Sequence, residues 1–267
     1  VLMSVYAKEK PENLRESIKS MVEQTVEPDD FVIVCDGQLT SALYLVIDEF
    51  KEKYPYINVI YTEKNKGLAS ALQNGLNYCK NDIVARMDSD DIALPNRMQL
   101  QLNAFSKKNA DIVSGTIAEF DSDPEHILNY RILPKTCAGI KNYSRRRNPF
   151  NHPCVMYKKS AVEAVGSYQD FYLLEDYYLW LRMLMAGYQG YNIQEPLLHM
   201  RAGSDMYLRR AGWKYAKTQA KLFKFMKQQG FIGNGQYIKS CVIRSGSSLA
   251  PNWLRKFMFE RVLRDAS

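Results

Sequence analysis

The chain has 267 residues, 46% of them apolar, enough for one large domain or a domain with an appendage. No run of about 18 uncharged apolar residues occurs, so nothing in it reads as a membrane-spanning helix. The net charge of +7 is unevenly held: residues 1–200 carry 22 Lys and Arg against 26 Asp and Glu, a balance of −4, whereas residues 201–267 carry 14 against 3, a balance of +11. A basic end of this kind attracts phosphates, whether of nucleic acid or of an anionic membrane face, and also suits a solvated helical surface. The five cysteines are odd in number and form no C-x-x-C pair, which points to a reducing, cytoplasmic setting and away from structural zinc. No secretory signal is visible, and an opening without Met, directly in "VLMSVY", is expected of a processed or trimmed start.

Strand-like and helix-like segments alternate through the first half. "LMSVY" reads as a strand, and residues 11–25 as a helix with Pro11 near its start and Leu14, Ile18, Met21 and Val22 on one face. "FVIVCD" at 31–36 is a strand, "ALYLVIDEFKEKY" a helix and "INVIY" a strand. "LASALQNGLNYC" is a helix, "DIVARMD" a strand, "PNRMQLQLNAFSKK" a helix and "ADIVSG" a strand. Continuous Val and Ile between such helices predicts a parallel sheet covered on both faces, hence an open doubly wound α/β fold.

The second half is less regular. Residues 126–158 read as a hairpin, a basic loop "SRRRN" and a strand "CVMY". "EDYYLWLRMLMAG" is a helix stopped by Gly187, with Trp180, Met183 and Leu184 at core spacing. After about residue 200 the pattern is helical: "WKYAKTQAKLFKFMKQQG", residues 236–244 and "WLRKFMFERVL". The expected organisation is a catalytic region over 1–200 and a basic helical extension over 201–267.

The stretch "NDIVARMDSDDIALP" ends an apolar strand in Asp88, Asp90 and Asp91. Ligands of doubly wound sheets sit at the carboxyl ends of the strands, where Asp36 also lies. Crowded acids there suit a hard divalent cation, Mg²⁺ or Mn²⁺, carrying a diphosphate. A helix N-cap ahead of Pro95 accounts for the same acids, and both readings stand on this segment alone. An EF-hand is excluded, because "DSDDIALP" lacks that loop's Gly and terminal Glu.

Six segments in order resemble family 2 glycosyltransferases, inverting nucleotide-sugar enzymes of the GT-A fold, over roughly residues 1–200. They are "SVY…LRESIKSMVEQT", "VIVCDG", "NKGLASALQNGL", "ARMDSDD", "NHPCVMYKKSAVEAVGSY" and "LLEDYYLWLRMLMAG". One departure is "CDGQLT", where the family often reads D-D-G-S and Cys35 replaces the first acid. The tail "MRAGSDMYLRRAGWKY" resembles a subgroup that builds bacterial capsule and O-antigen repeats on lipid-linked sugar diphosphates.

The resemblance implies roles. Asp36 would contact the base or ribose of a UDP-sugar. Asp88 would contact the ribose or donor sugar and join Asp90 at the metal, with Asp91 orienting the metal shell or capping the next helix. Asp176, ahead of Glu175, would be the base that takes the acceptor hydroxyl's proton. Asn65 and Gly67 open the third helix, where backbone can approach a ligand. Arg86 supports the diphosphate or pairs with an acid. His152 would line the acceptor pocket and His199 would complete the metal shell. Arg201, Arg209 and Arg210 would bind the diphosphate of donor or acceptor. The implied activity is transfer of a hexose, glucose or galactose, from a UDP-sugar to a sugar or lipid-linked sugar at the cytoplasmic face of the membrane.

Two other readings remain open on the residues. A metal-dependent nucleotidyltransferase would want a Gly-rich phosphate loop after the first strand, and "YAKEKPEN" has no Gly. A polyanion- or membrane-binding module without catalysis would use the tail but leave the acids unexplained. "NWLRKFMFERVLRD" places Trp253, Leu254, Phe257, Met258 and Val262 on one side of a helix flanked by cations, as in a helix lying on anionic lipid. Nucleic acid is not expected, because no aromatic stacking platform is evident.

Overall fold

A computed structural model describes residues 1–202 and 212–249. The first half alternates as its sequence pattern predicts: β1 (Leu2–Val5), α1 (Pro11–Val22), β2 (Phe31–Cys35), α2 (Ser41–Lys53), β3 (Ile57–Tyr61), α3 (Leu68–Leu76), β4 (Ile83–Asp88), a short β5 (Ile92–Ala93), α4 (Arg97–Lys108) and β6 (Ile112–Phe120). Then follow β7 (Ile127–Arg131), α5 (Cys137–Tyr143), a 3-10 turn (His152–Cys154), β8 (Met156–Lys158), α6 (Lys159–Ala164), α7 (Glu175–Met185), β9 (Gly190–Arg201), α8 (Gly212–Gln228) and α9 (Asn234–Leu249).

The strands form one sheet in the order β3-β2-β1-β4-β8-β6-β9-β5, with β7 added on β6. β3, β2, β1 and β4 pair in parallel, as largely apolar strands covered by helices on both faces do. Beyond β4 the sheet is mixed: β8 runs antiparallel to both β4 and β6, while β9 runs parallel to β6. The expected hairpin is β6–β7, so it starts earlier than the sequence pattern placed it. α5 and the long strand β9 were not expected at all.

Two apolar layers sandwich the sheet. Leu14, Ile18, Leu43, Ile47 and Met98 of α1, α2 and α4 cover one face. Leu72, Leu76, Ile140, Val162, Leu179 and Trp180 of α3, α5, α6 and α7 cover the other. A third cluster joins Tyr177 and Leu181 of α7 to Leu222, Phe223 and Met226 of α8 and to Phe231 and Ile232 before α9. Fully burying each such side chain stabilises by about 1.5–3 kcal/mol. The described part of the basic end therefore packs on α7, whereas the segment 253–264 lies outside the described residues.

Where β4, β8 and β6 meet, strand pairing is short, and α4 supplies further donors. Arg97, fully buried, donates from Nη2 to Arg86 O at 2.6 Å and Val155 O at 3.4 Å. Gln101 Nε2 donates to Cys154 O at 2.8 Å and Val113 O at 3.1 Å. A buried carbonyl left without a donor costs about 1–3 kcal/mol, so these two side chains hold the end of β4 in place. Asp88 is the residue that end presents.

Candidate active site

Asp88, Asp90 and Asp91 follow one another off β4, and one carboxylate oxygen of each lies within 4.8 Å of the others. Burial, then repulsion from Asp88 and Glu9, pushes the Asp90 carboxyl up to about 7. Asp91 is 2% exposed and is driven well above the carboxylate range by burial and by Asp90 and Asp88. Such a cluster is short of positive charge, and its donors are all oxygen. It fits a hard divalent cation held by few carboxylates, with Asp88, Asp90 and Asp91 as the protein ligands.

The turn is braced from several sides. Ser17 donates to Asp88 O at 2.6 Å, and Ser89 donates to Glu9 Oε2 at 2.8 Å. Arg201, at the end of β9, donates its amide to Asp91 Oδ1 at 2.9 Å and its Nε to Asp90 O at 3.2 Å. Its Nη2 pairs with Glu16 at 2.8 Å while the guanidinium lies over Phe120. Arg201, expected on a diphosphate, lies at the acidic turn. His199 is not among the clustered ligands; its ring lies against Phe120, 6.3 Å between centroids, and burial lowers its pKa. Arg209 and Arg210 lie outside the described residues.

Arg86 shares a face of β4 with Asp88 and is only 1% exposed. Its Nη2 pairs with Asp88 Oδ1, whereas the buried Nε and Nη1 have no partner among the described residues. Two unsatisfied donors on a buried cation are costly unless a ligand oxygen completes them. The Arg86 charge helps to lower His152 and partly offsets the rise of Glu175, so it lies near the start of α7 as well as the acidic turn.

On the other side of Arg86, α7 begins with Glu175 and Asp176. Burial, then Asp176, pushes Glu175 up to about 7. Asp176 Oδ2 accepts from Asn148 Nδ2 at 2.6 Å, and Oδ1 accepts from the Tyr177 amide at 2.7 Å. These two bonds orient the carboxylate. His152 is 9% exposed and sits in an aromatic nest, its Nε2 3.2 Å from the Tyr168 hydroxyl and its ring beside Trp180. Burial, then Arg86, keeps it neutral.

Asp36 is 4% exposed and both its oxygens are engaged, by the amides of Lys66 at 2.9 Å and Gly67 at 3.0 Å. Asn65 Nδ2 donates to Asp36 O at 3.2 Å. Gly67 has φ 88° at the N-cap of α3, a conformation that favours Gly, and a Cβ on Gly37 would sit 2.6 Å from Asn65 N. Asp36, Asn65 and Gly67 therefore build one tight loop, beside a polar cavity of about 530 Å³ that Asp36, Lys66, Ser70 and Asn74 help to line. Glu9, Ser17, Arg97 and Asn148 were not expected at the site. Each acts across space, and no local pattern marks it.

The Glycosyl transferase family 2 model matches residues 1–166. The amylovoran biosynthesis glycosyltransferase AmsE of Erwinia amylovora is 38% identical over 265 residues, 98% of this chain and 97% of that protein. The UDP-Gal:alpha-D-GlcNAc-diphosphoundecaprenol beta-1,3-galactosyltransferase of Escherichia coli is 39% identical over 266 residues, 99% and 96%. Among solved structures, S. aureus TarS 1–349 in complex with UDP-GlcNAc superposes with TM-score 0.68 at 12% identity, over 98% of this chain and 76% of that one. The mannosyltransferase PcManGT of Pyrobaculum calidifontis, in complex with GDP-Man and Mn²⁺, superposes with TM-score 0.64 at 13% identity, over 98% and 79%.

Proposed function

The chain belongs to glycosyl transferase family 2 and has the GT-A fold, and from that membership we propose that it transfers a hexose, with inversion, from a UDP-sugar to a sugar carried on a lipid diphosphate in bacterial surface polysaccharide synthesis. The observation that carries this reading is the pairing of two groups across Arg86: three crowded carboxylates at the end of β4, and a hydrogen-bonded carboxylate, Asp176, at the start of α7. The relatives' names support the donor and acceptor classes, since one is a UDP-Gal galactosyltransferase acting on alpha-D-GlcNAc-diphosphoundecaprenol and another a UDP-Glc glucosyltransferase acting on the same acceptor.

Asp88, Asp90 and Asp91 would hold Mn²⁺ or Mg²⁺, which when bound supplies positive charge to the departing diphosphate. Arg86 adds donors at the same place through Nε and Nη1. Asp176 takes the proton of the attacking acceptor hydroxyl, held in position by Asn148 and the Tyr177 amide. Glu175, pushed up to about 7 by burial and by Asp176, shapes the charge around Asp176. Asp36, through its bonds to the Lys66 and Gly67 amides, holds the loop that would meet the base or ribose of the donor. His152, neutral and hydrogen-bonded to Tyr168, supports the acceptor side.

No helix among the described residues is long and apolar enough to cross a membrane. A lipid-borne acceptor supports work at the inner membrane face. The stretch 212–249 suits anionic lipid there, because it carries seven Lys and Arg and no Asp or Glu. Calorimetric titration tests the donor and metal: UDP should bind at least tenfold more tightly with Mn²⁺ than in EDTA. Equal affinity in both would overturn the metal reading. Transfer from none of a panel of UDP-hexoses to a sugar diphosphate acceptor would overturn the substrate reading.

A further inference from the structure

We infer that the turn Arg145–Arg147, together with Arg244 of α9, is the seat of the acceptor's diphosphate. The inference rests on the proposed lipid-diphosphate acceptor and adds the residues that would grip it. The turn leaves α5 and runs straight into Asn148, the residue bonded to Asp176. Its backbone is fixed from outside: the Tyr177 hydroxyl donates to Ser144 O at 2.6 Å, Gln236 Nε2 to Arg145 O at 3.1 Å, and Arg244 Nη2 to Arg146 O at 3.1 Å. With these carbonyls satisfied, three consecutive guanidinium groups follow one another along a fixed turn, Arg146 exposed and Arg145 and Arg147 half-buried.

Those groups are supported by rings rather than by acids. Arg145 lies 5.6 Å over Phe231 and Arg147 6.0 Å over Tyr143. Arg145 Nε is buried with no partner, and none of Arg145, Arg146 and Arg147 makes an ion pair among the described residues. Arg147 is near enough to Arg244 to help depress it. Arg145, Arg146 and Arg147 gather like charge with no ion pair among the described residues, and a phosphate-bearing ligand relieves that repulsion. Guanidinium forks match phosphate oxygens bidentately, so a diphosphate is the matching anion.

Position selects the acceptor's diphosphate over the donor's. The donor's belongs beside Arg86 and the β4 acids. The Arg145–Arg147 turn lies on the base side, one residue from Asn148. The hydroxyl that Asp176 deprotonates belongs to the acceptor sugar, and that sugar is all that separates it from the acceptor diphosphate.

The test uses the full chain with UDP-hexose, Mn²⁺ and two soluble acceptors. One is a sugar α-diphosphate bearing a short alkyl chain, and the other is the matching alkyl glycoside without phosphate. Arg146→Ala with Arg147→Ala should raise KM for the diphosphate acceptor tenfold or more, leave KM for the glycoside within twofold, and leave UDP affinity within twofold by titration. Arg147→Lys should fall between. Should the double variant fail to fold, Arg146→Ala alone, at an exposed position, carries the test with a threefold rise. A KM within twofold of wild type, or an equal rise for both acceptors, overturns the seat. If wild type transfers to neither acceptor, the substrate reading fails on its own. Titration with inorganic pyrophosphate in EDTA then decides the seat, which stands if the variant loses binding and falls if it does not. Selective loss of binding to phosphatidylglycerol vesicles, with acceptor KM intact, would assign the arginines to lipid headgroups and overturn the proposal.

Discussion

Asp90→Asn separates a metal site from an acidic cap, because the two predict opposite signs once metal is removed. The substitution deletes one charge from three carboxylates within 4.8 Å of one another, and at an effective dielectric of 20 each like-charge pair at that distance costs about 3.5 kcal/mol. With its carboxyl raised to about 7, Asp90 is roughly half ionised at pH 7, so only part of that cost is felt there. A folded-state value above the ordinary 3.8 means that the group favours the fold while protonated. That contribution is complete below about pH 4 and is lost as pH rises through 7. Asn cannot ionise, so in EDTA at pH 8 the variant should be about 1–3 kcal/mol more stable, a melting point roughly 5 °C higher. At pH 5 the two proteins should differ little. Mn²⁺ reverses the order: at 100 Kd a bound ion stabilises by about 2.7 kcal/mol, and the variant should lose most of that. Transfer should fall about 10²-fold. Thermal melts at pH 5 and 8, each in EDTA and in Mn²⁺, measure all four points. A variant that melts below wild type in EDTA at pH 8, or that keeps the full Mn²⁺ shift, would refute the reasoning.

Asp176→Asn should cut transfer by about 10²–10⁴-fold while UDP affinity by titration stays nearly constant, since the base meets the acceptor and not the nucleotide. Asn148→Ala removes the 2.6 Å bond to Asp176 Oδ2, which should lower kcat about tenfold and move the acid limb of the pH–rate profile to higher pH. An unmoved limb would make Asn148 merely structural. Arg97→Met removes the 2.6 Å bond to Arg86 O and the longer one to Val155 O, which the Arg86 amide still holds, and should lower stability by about 2 kcal/mol in urea melts; a gain in stability would contradict the bracing assigned to it.

The parallel half of the sheet was legible because β1, β2 and β4 are short runs of apolar residues between helices with one apolar face. Trp180, Met183 and Leu184 were legible as core for the same reason, and all three are buried. β9 was not, because Gln194, Glu195 and Pro196 interrupt its apolar pattern. Its pairing with β6 slips register between Gly115 and Ile117, where Pro196 enters opposite Thr116. Missing β9 also hid the contacts of Arg201 with the acidic turn. His199 pairs opposite Ile92, and that register carries Arg201 to the acidic turn, a contact 110 residues distant in sequence. α5 is a short helix with Gly139 in it, though Thr136, whose side chain accepts from Gly139 N at 3.3 Å, is the cap that marks its start. The acids at 88–91 and 175–176 were legible because each set sits together in sequence. Their supports, Glu9, Ser17, Arg97 and Asn148, were not, because each reaches the site from another element.

The central claim is an inverting transfer at this site, and the anomeric configuration of the product tests it most directly. The full chain, Mn²⁺, a UDP-α-hexose and a short-chain sugar diphosphate would be incubated, and the new linkage read by its one-bond and vicinal proton couplings in NMR. A β-linked product formed with release of UDP, and abolished by EDTA, is the expected result. An α-linked product would contradict single displacement by an acceptor hydroxyl activated at Asp176.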